Sequence, residues 1–129
     1  MYAILLRFTR LWEKISVSGS EIISSKLGDS WYSLLVLGVF CALLVGFSVV
    51  TSHVSDKKGL NVFYTILFIS SFVILGFEHI VAVFFYSSVY LINLGYFNPY
   101  IINIIIPVSI GNILGGVIAG GVCKKRLNC

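Results

Sequence analysis

Long apolar stretches alternate with short polar segments along most of this chain. Residues 31–52, 62–91 and 100–122 are predominantly apolar. Each is long enough to cross the hydrocarbon core of a bilayer as a helix, which takes about 20 residues. Because only helices and closed barrels satisfy their backbone groups in lipid, the pattern predicts an all-α membrane protein with three transmembrane helices.

The second stretch, residues 62–91, is too long for one straight crossing. It contains Gly76-Phe77-Glu78-His79 near its centre. A glycine followed by two ionisable side chains at membrane depth indicates a broken helix, because non-helical backbone is tolerated there only inside protein or beside a polar cavity. Broken membrane helices often carry substrate sites. The middle helix is therefore predicted to break near residues 76–79.

Small residues recur at four-residue spacing in the first and third stretches. Residues four apart lie on one face of a helix, and small side chains there allow two helices to approach closely. The residues predicted to pack helices in this way are Gly38, Ala42, Gly46, Gly111, Gly115 and Gly116.

The charged residues lie mostly outside the apolar stretches. Only 11% of residues are charged, against about a quarter in a soluble domain. The net charge of +4 comes from basic residues that flank the apolar stretches, so nucleic acid is not an expected partner. Residues 1–30 are predicted to be the end of a preceding helix and a polar linker, and residues 123–129 a basic tail.

The positive-inside rule predicts where that tail lies. With three crossings, residues 57–58 and the basic residues 124–126 share one side of the membrane, which the rule assigns to the cytoplasm. Basic residues near the start of the chain argue against this orientation. The sequence contains no phosphate loop, Cys/His metal cluster or serine elbow, so no catalytic residue, metal or cofactor is predicted.

Three motifs resemble signatures of the formate/nitrite transporter family. Gly76-Phe77-Glu78-His79 with Ile80-Val81-Ala82 is similar to the signature on the family's fifth helix. Residues 106–116 resemble the sixth-helix signature, and residues 37–45 resemble the fourth helix. The motifs occur in the family's order with nearly its spacing, and the resemblance covers roughly residues 26–122.

The resemblance implies one inverted-repeat half of an aquaporin-like formate/nitrite channel fold. Protomers of the family have six membrane helices in two inverted halves. Five protomers form a ring in the cell membrane, and each carries its own pore for small monovalent anions such as formate or nitrite. This chain would supply the second half, with residues 2–12 matching the end of the third helix. A missing N-terminal half would supply the threonine loop of the central site.

His79 is the first candidate pore residue. Imidazole has an ordinary pKa of ~6.5, so it exchanges protons near physiological pH. A bare anion meets a large desolvation cost in a narrow apolar pore, and a proton or a nearby cation lowers that cost. A structural, hydrogen-bonded histidine inside the bundle is the alternative.

The other candidate pore residues are Lys26, Glu78, Asn112 and Phe77. The resemblance places Lys26 in an outer vestibule, where it would attract anions, whereas a lysine that snorkels to the membrane surface is the alternative. Glu78 and Asn112 are expected to hold the broken backbone and neighbouring helices. Phe77 could supply an apolar constriction.

Two departures from the family pattern bear on function. Ala42 and Val83 stand where the family usually carries asparagine, and both remove an amide from the pore region. The changes predict altered anion selectivity or a decaying copy. Because half a pore cannot enclose a path without an opposite wall, two alternatives to an anion channel also stay open: a truncated or split-gene fragment without transport of its own, and a small scaffold or regulatory subunit of a full-length channel.

Overall fold

The structure is a computed structural model that describes residues 9–54 and 57–127. The N-terminal part of the predicted preceding helix lies outside these residues. The described ranges contain no strand. They form five α-helices and a short 3-10 turn, Pro99–Ile101, which leads into the last helix. The α-helices are α1 Trp12–Lys26, α2 Trp31–Val54, α3 Lys58–Ile74, α4 Ile80–Leu94 and α5 Ile102–Leu127.

Helices α2 and α5 form the most extensive helix pair, and they run parallel to each other. A Cβ built on Gly38 would lie 3.3 Å from Gly111 Cα, and one on Gly46 would overlap Ala119 farther along both helices. A Cβ on Gly115 would overlap a backbone carbonyl of α2. Glycine therefore allows the two backbones to pack in direct contact.

Not all of the predicted packing residues lie between α2 and α5. Ala42 lies at the α2–α5 interface, where its Cβ faces Gly115. At Gly116, by contrast, a Cβ would meet no described atom within 4 Å. The same holds for Gly120, four residues later, so this pair of glycines on α5 faces away from α2.

Residues 75–79 separate α3 from α4, at the position where the sequence predicts a break. The N–H of Phe77 donates to Phe72 O at 3.0 Å, and that of Gly76 donates to Val73 O at 3.2 Å. This pair of bonds is a Schellman motif, which requires a left-handed residue after the helix. Gly76 adopts that conformation, with φ +68°, at no steric cost.

Helix α1 packs antiparallel along α4. Its C-terminal Lys26 contacts Glu78, just before α4 begins, whereas Ser20 accepts a hydrogen bond from Asn93 Nδ2, near the end of α4, at 3.0 Å. A Cβ on Gly19 would lie 3.0 Å from a methyl group of Val89.

Residues 12–26 lie within the segment 1–30, which the sequence predicts to be the end of a preceding helix and a polar linker, and they form a docked helix. Its buried residues, Ser16, Gly19 and Ile23, recur at helical spacing on one narrow face, and Gly19 of that face lies against Val89 of α4.

Two helices are long and apolar enough, by length and composition, to cross a membrane. These are residues Trp31–Thr51 of α2 and the segment Pro99–Lys125, which contains α5. Helices α3 and α4 are also apolar but are only 17 and 15 residues long, because the break divides them. The main buried cluster lies among α1, α2, α4 and α5 and consists of Ile23, Leu34, Val83, Ile101, Ile104 and Val108.

Candidate functional site

His79 is the N-cap of α4 and is held on two sides. Its Nδ1 accepts a hydrogen bond from Val81 N–H at 3.2 Å, and its ring stacks on Phe72 with centroids 5.9 Å apart. Because Nδ1 is the acceptor, a neutral imidazole in this position carries its hydrogen on Nε2. The side chain therefore offers an N–H donor at the break between the two half-helices.

Lys26 and Glu78 form an ion pair between the end of α1 and the break. The two side chains are only 14% and 6% exposed, respectively. A buried charge is costly unless an opposite charge and hydrogen bonds compensate it, so each side chain compensates the charge of the other. The structure thus places the Lys26 ammonium on a carboxylate of the same chain.

Asn112 connects α5 to α2 and to the break. Its Nδ2 donates to Gly38 O at 3.1 Å and to Glu78 O at 2.9 Å. Its Oδ1 accepts from Ile80 N–H at 3.2 Å. One amide therefore satisfies a donor and an acceptor of the interrupted backbone and holds both to the α2–α5 pair.

A cavity of about 310 Å³ lies among α1, the end of α3 and the start of α4. The ammonium, the carboxylate and the imidazole all line it, together with aromatic side chains. Phe77 also lines the cavity and stacks on Phe40 of α2, with ring centroids 5.7 Å apart. The lining consists of Ile22, Lys26, Phe72, Val73, Gly76, Phe77, Glu78, His79, Ala82, Val83 and Tyr86.

The two departures from the family pattern lie in different places. Val83 lines the cavity and presents only methyl groups there. Ala42 lies instead in the tight contact between α2 and α5. Among the described residues, no group of three or more His, Cys, Asp or Glu side chains is arranged to hold a metal ion.

Two features of the site have no sequence signal. The Lys26–Glu78 pair joins residues 52 positions apart. Phe72 stacks on His79 although residues 75–79 are not helical, so helical spacing does not predict their contact. The ion pair depends on how α1 docks on α4, and the ring contact depends on how the break turns the chain.

Comparison with known proteins identifies the family. The sequence profile described as formate/nitrite transporter matches residues 1–124. The chain belongs to the formate/nitrite transporter family. The match confirms the resemblance seen in the three motifs, and the family is one of transporters rather than enzymes.

A curated relative in the formate/nitrite transporter family is the formate channel FocA of Haemophilus influenzae (strain ATCC 51907 / DSM 11121 / KW20 / Rd). The two sequences are 29% identical in an alignment of 122 residues, which covers 79% of this chain and 43% of the channel. The chain therefore spans less than half the length of this relative. No solved structure matches the chain.

Proposed function

We propose that this chain forms one half of a pore for small monovalent anions of the formate or nitrite type, and that a second half completes the pore. The cavity at the break carries the proposal. It brings together the only buried ion pair of the described residues and the imidazole of His79. Family membership supplies the class of substrate.

In this proposal the chain crosses the membrane three times. Helices α2 and α5 cross in the same direction, and α3 and α4 together form the returning crossing. At 1.5 Å per residue, Asn112 lies about 15 Å along α5 from its start at Ile102, near the middle of a core that is about 30 Å thick. The break would then lie at mid-membrane. Lys58 and the basic C-terminal residues would share the cytoplasmic side of the cell membrane.

The chemistry of the proposed pore follows from the cap of α4. The Nε2–H of His79 donates a hydrogen bond to the anion, and the N-terminus of α4 adds the positive end of its helix dipole. Protonation of Nδ1 removes the acceptor of the Val81 N–H bond, so a charged imidazole no longer caps α4. Passage is therefore expected to depend on pH through the protonation state of His79.

Lys26 and Glu78 act in this proposal as a neutral pair beside the path. Because Glu78 compensates the ammonium, Lys26 supplies hydrogen-bond donors to a passing anion more than it supplies net charge. Phe77 and Phe40 form an apolar wall next to the pair. Protons and one small anion at a time are the expected solutes.

A second half is needed because three crossings cannot enclose a path. The chain covers 43% of FocA, and a homopentameric ring of completed protomers is the assembly that the family resemblance implies. The same partial coverage supports a second candidate function, in which a fragment without transport of its own acts as a scaffold or regulatory subunit of a full-length channel.

Liposome flux tests the proposal directly. The chain is reconstituted alone and together with the N-terminal half of FocA, and formate and nitrite uptake are measured between pH 5 and 8. We expect uptake only from the combined halves, and His79→Phe to remove its pH dependence. The matched control is His53→Phe, the same change at the chain's other histidine.

Three results would count against the anion pore. Uptake that keeps its pH dependence in His79→Phe contradicts the role of the imidazole. Uptake by the chain alone contradicts the half-pore. Co-purification with a full-length channel, without uptake by any combination of halves, supports the scaffold function.

A further inference from the structure

Helices α2 and α5 end at the same level of the bundle. They run parallel, and Gly46 of α2 lies against Ala119 of α5. Val54 and Leu127, the last residues of the two helices, each lie about 12 Å farther along at 1.5 Å per residue. Helix α3 begins at Lys58, soon after α2 ends, so the start of α3 belongs to the same end of the bundle.

This end of the bundle is strongly basic. Lys58, Lys124 and Lys125 are exposed, and none of the three has an ion-pair partner among the residues that the structure describes. By contrast, α5 carries no charged side chain before Lys124. We call residues 57–58 and 124–126 the basic end. Its residues are Lys57, Lys58, Lys124, Lys125 and Arg126, and Asp56 is the one acidic residue beside them in the sequence.

The helix dipoles explain only part of this charge. Cations are favourable near the C-terminus of a helix and unfavourable near its N-terminus. Lys124 and Lys125 lie in the last turn of α5 and therefore gain from its dipole. Lys58, however, is the first residue of α3, and the first turn of α3 contains no acidic side chain. The positive end of the α3 dipole adds to the charge of the lysines, so the field at this end favours an anion.

The lysines of α5 reach the level of lipid headgroups in the proposed arrangement. Asn112 lies near mid-membrane, and Lys124 follows about 18 Å farther along the helix. Half of the hydrocarbon core is about 15 Å thick, so Lys124 lies just outside it. One turn nearer the centre, a Cβ on Gly120 would meet no described atom within 4 Å. The described chain therefore leaves room for an acyl chain along α5 beneath the lysines.

We propose that the basic end binds the headgroups of anionic phospholipids, with Lys124 and Lys125 as the main contacts. The proposal rests on the three membrane crossings given under the proposed function but not on the pore chemistry of His79. Each basic residue close to an anionic membrane surface strengthens the attraction roughly five-fold. The attraction falls off within a Debye length, which is about 10 Å at 0.1 M salt.

Quenching of tryptophan fluorescence by brominated lipids tests the proposal. The full chain first receives Trp12→Phe and Trp31→Phe, which remove its two tryptophans. A single tryptophan is then introduced as Val122→Trp, at an exposed position close to the two lysines. The chain is reconstituted in vesicles of equal parts phosphatidylglycerol and phosphatidylcholine, with bromine on the acyl chains of one lipid or of the other. Insertion is checked by resistance to carbonate extraction.

The matched control is Ile102→Trp, which is exposed at the charge-free end of the same helix. We expect brominated phosphatidylglycerol to quench Val122→Trp at least threefold more than brominated phosphatidylcholine, and the two lipids to quench Ile102→Trp about equally. Lys124→Gln with Lys125→Gln should bring the ratio at Val122→Trp close to one. Lys124→Arg with Lys125→Arg keeps both charges and should keep the preference. Raising the salt concentration from 0.1 to 0.5 M should reduce the preference.

Each contrary outcome refutes a stated part of the proposal. If neither lipid quenches Val122→Trp, a protein segment covers this surface and the lipid contact is refuted. Equal quenching by the two lipids refutes the preference for anionic headgroups. A preference that survives the glutamine changes, or is lost in the arginine pair, refutes the role of the two ammonium groups. A chain that carbonate extracts overturns the lipid surface together with its membrane placement.

The quenching and flux results also separate the two proposals. A preference for phosphatidylglycerol at Val122→Trp, with no uptake from the combined halves, supports the lipid surface and contradicts the pore. Uptake that depends on His79, with equal quenching by the two lipids, contradicts the lipid surface alone.

Discussion

The substitution Asn112→Leu tests whether one amide holds the interrupted backbone in place. Leucine has a similar size but makes none of the three hydrogen bonds that reach Gly38 O, Glu78 O and Ile80 N–H. Because the break has no regular helical partners, we expect the loss to leave backbone groups of residues 78–80 unsatisfied inside the bundle.

The size of the expected destabilisation follows from the number of these hydrogen bonds and from whether water reaches them. Hydrogen bonds between helices in membranes contribute about 0.6 kcal/mol on average and about 1.7 kcal/mol at most. Three of them give an expected loss of about 2–5 kcal/mol in the free energy of unfolding. The upper part of this range applies if no water reaches the break, since an unpaired buried backbone group costs about 1–3 kcal/mol.

Equilibrium unfolding in mixed detergent micelles, followed by tryptophan fluorescence, measures this loss. The control is Asn103→Leu, which makes the same change at an exposed position of the same helix. The control should stay within about 0.5 kcal/mol of the original chain. If the two variants have equal stability, the amide does not stabilise the break and the argument from hydrogen bonds is wrong.

Two further predictions use the same unfolding measurement. Gly115→Ala should destabilise the α2–α5 pair by about 1–3 kcal/mol because its Cβ would overlap α2. Gly116→Ala should be neutral or stabilising because its Cβ meets no described atom. Equal changes in stability would show that the two glycines are equivalent. Lys26→Met and Glu78→Gln should each lower the free energy of unfolding by more than half of the loss in the double variant, because each alone leaves its buried partner uncompensated. Strict additivity of the two would contradict direct coupling of the pair.

The sequence predicts the break because its signal is local. Gly76 and the two ionisable residues that follow it interrupt an apolar stretch, and both the Schellman motif and the cap by His79 involve residues close to one another in the chain. The spacing of Gly38, Ala42 and Gly46 likewise indicates a face of α2 that another helix can approach closely. In each case a few neighbouring residues contain the physical cause.

The partners of the site residues could not be predicted in the same way. Lys26 meets Glu78 only because α1 docks antiparallel on α4, and the sequence of α1 reads as a polar linker since only three of its residues are buried. Gly116 continues the glycine pattern yet faces away from α2, because the spacing identifies a ridge of small residues but does not identify the surface opposite it.

The position of Asn112 late in the chain has a consequence for how the protein is made. Residues 75–80 leave the ribosome before α5 does, so during synthesis the N–H of Ile80 and the carbonyl of Glu78 are made before the amide that they bond to in the finished protein. The last helix therefore satisfies the backbone at the break as well as packing into the bundle. A nascent chain that stops before α5 would leave these two backbone groups without the partner that they have in the complete bundle.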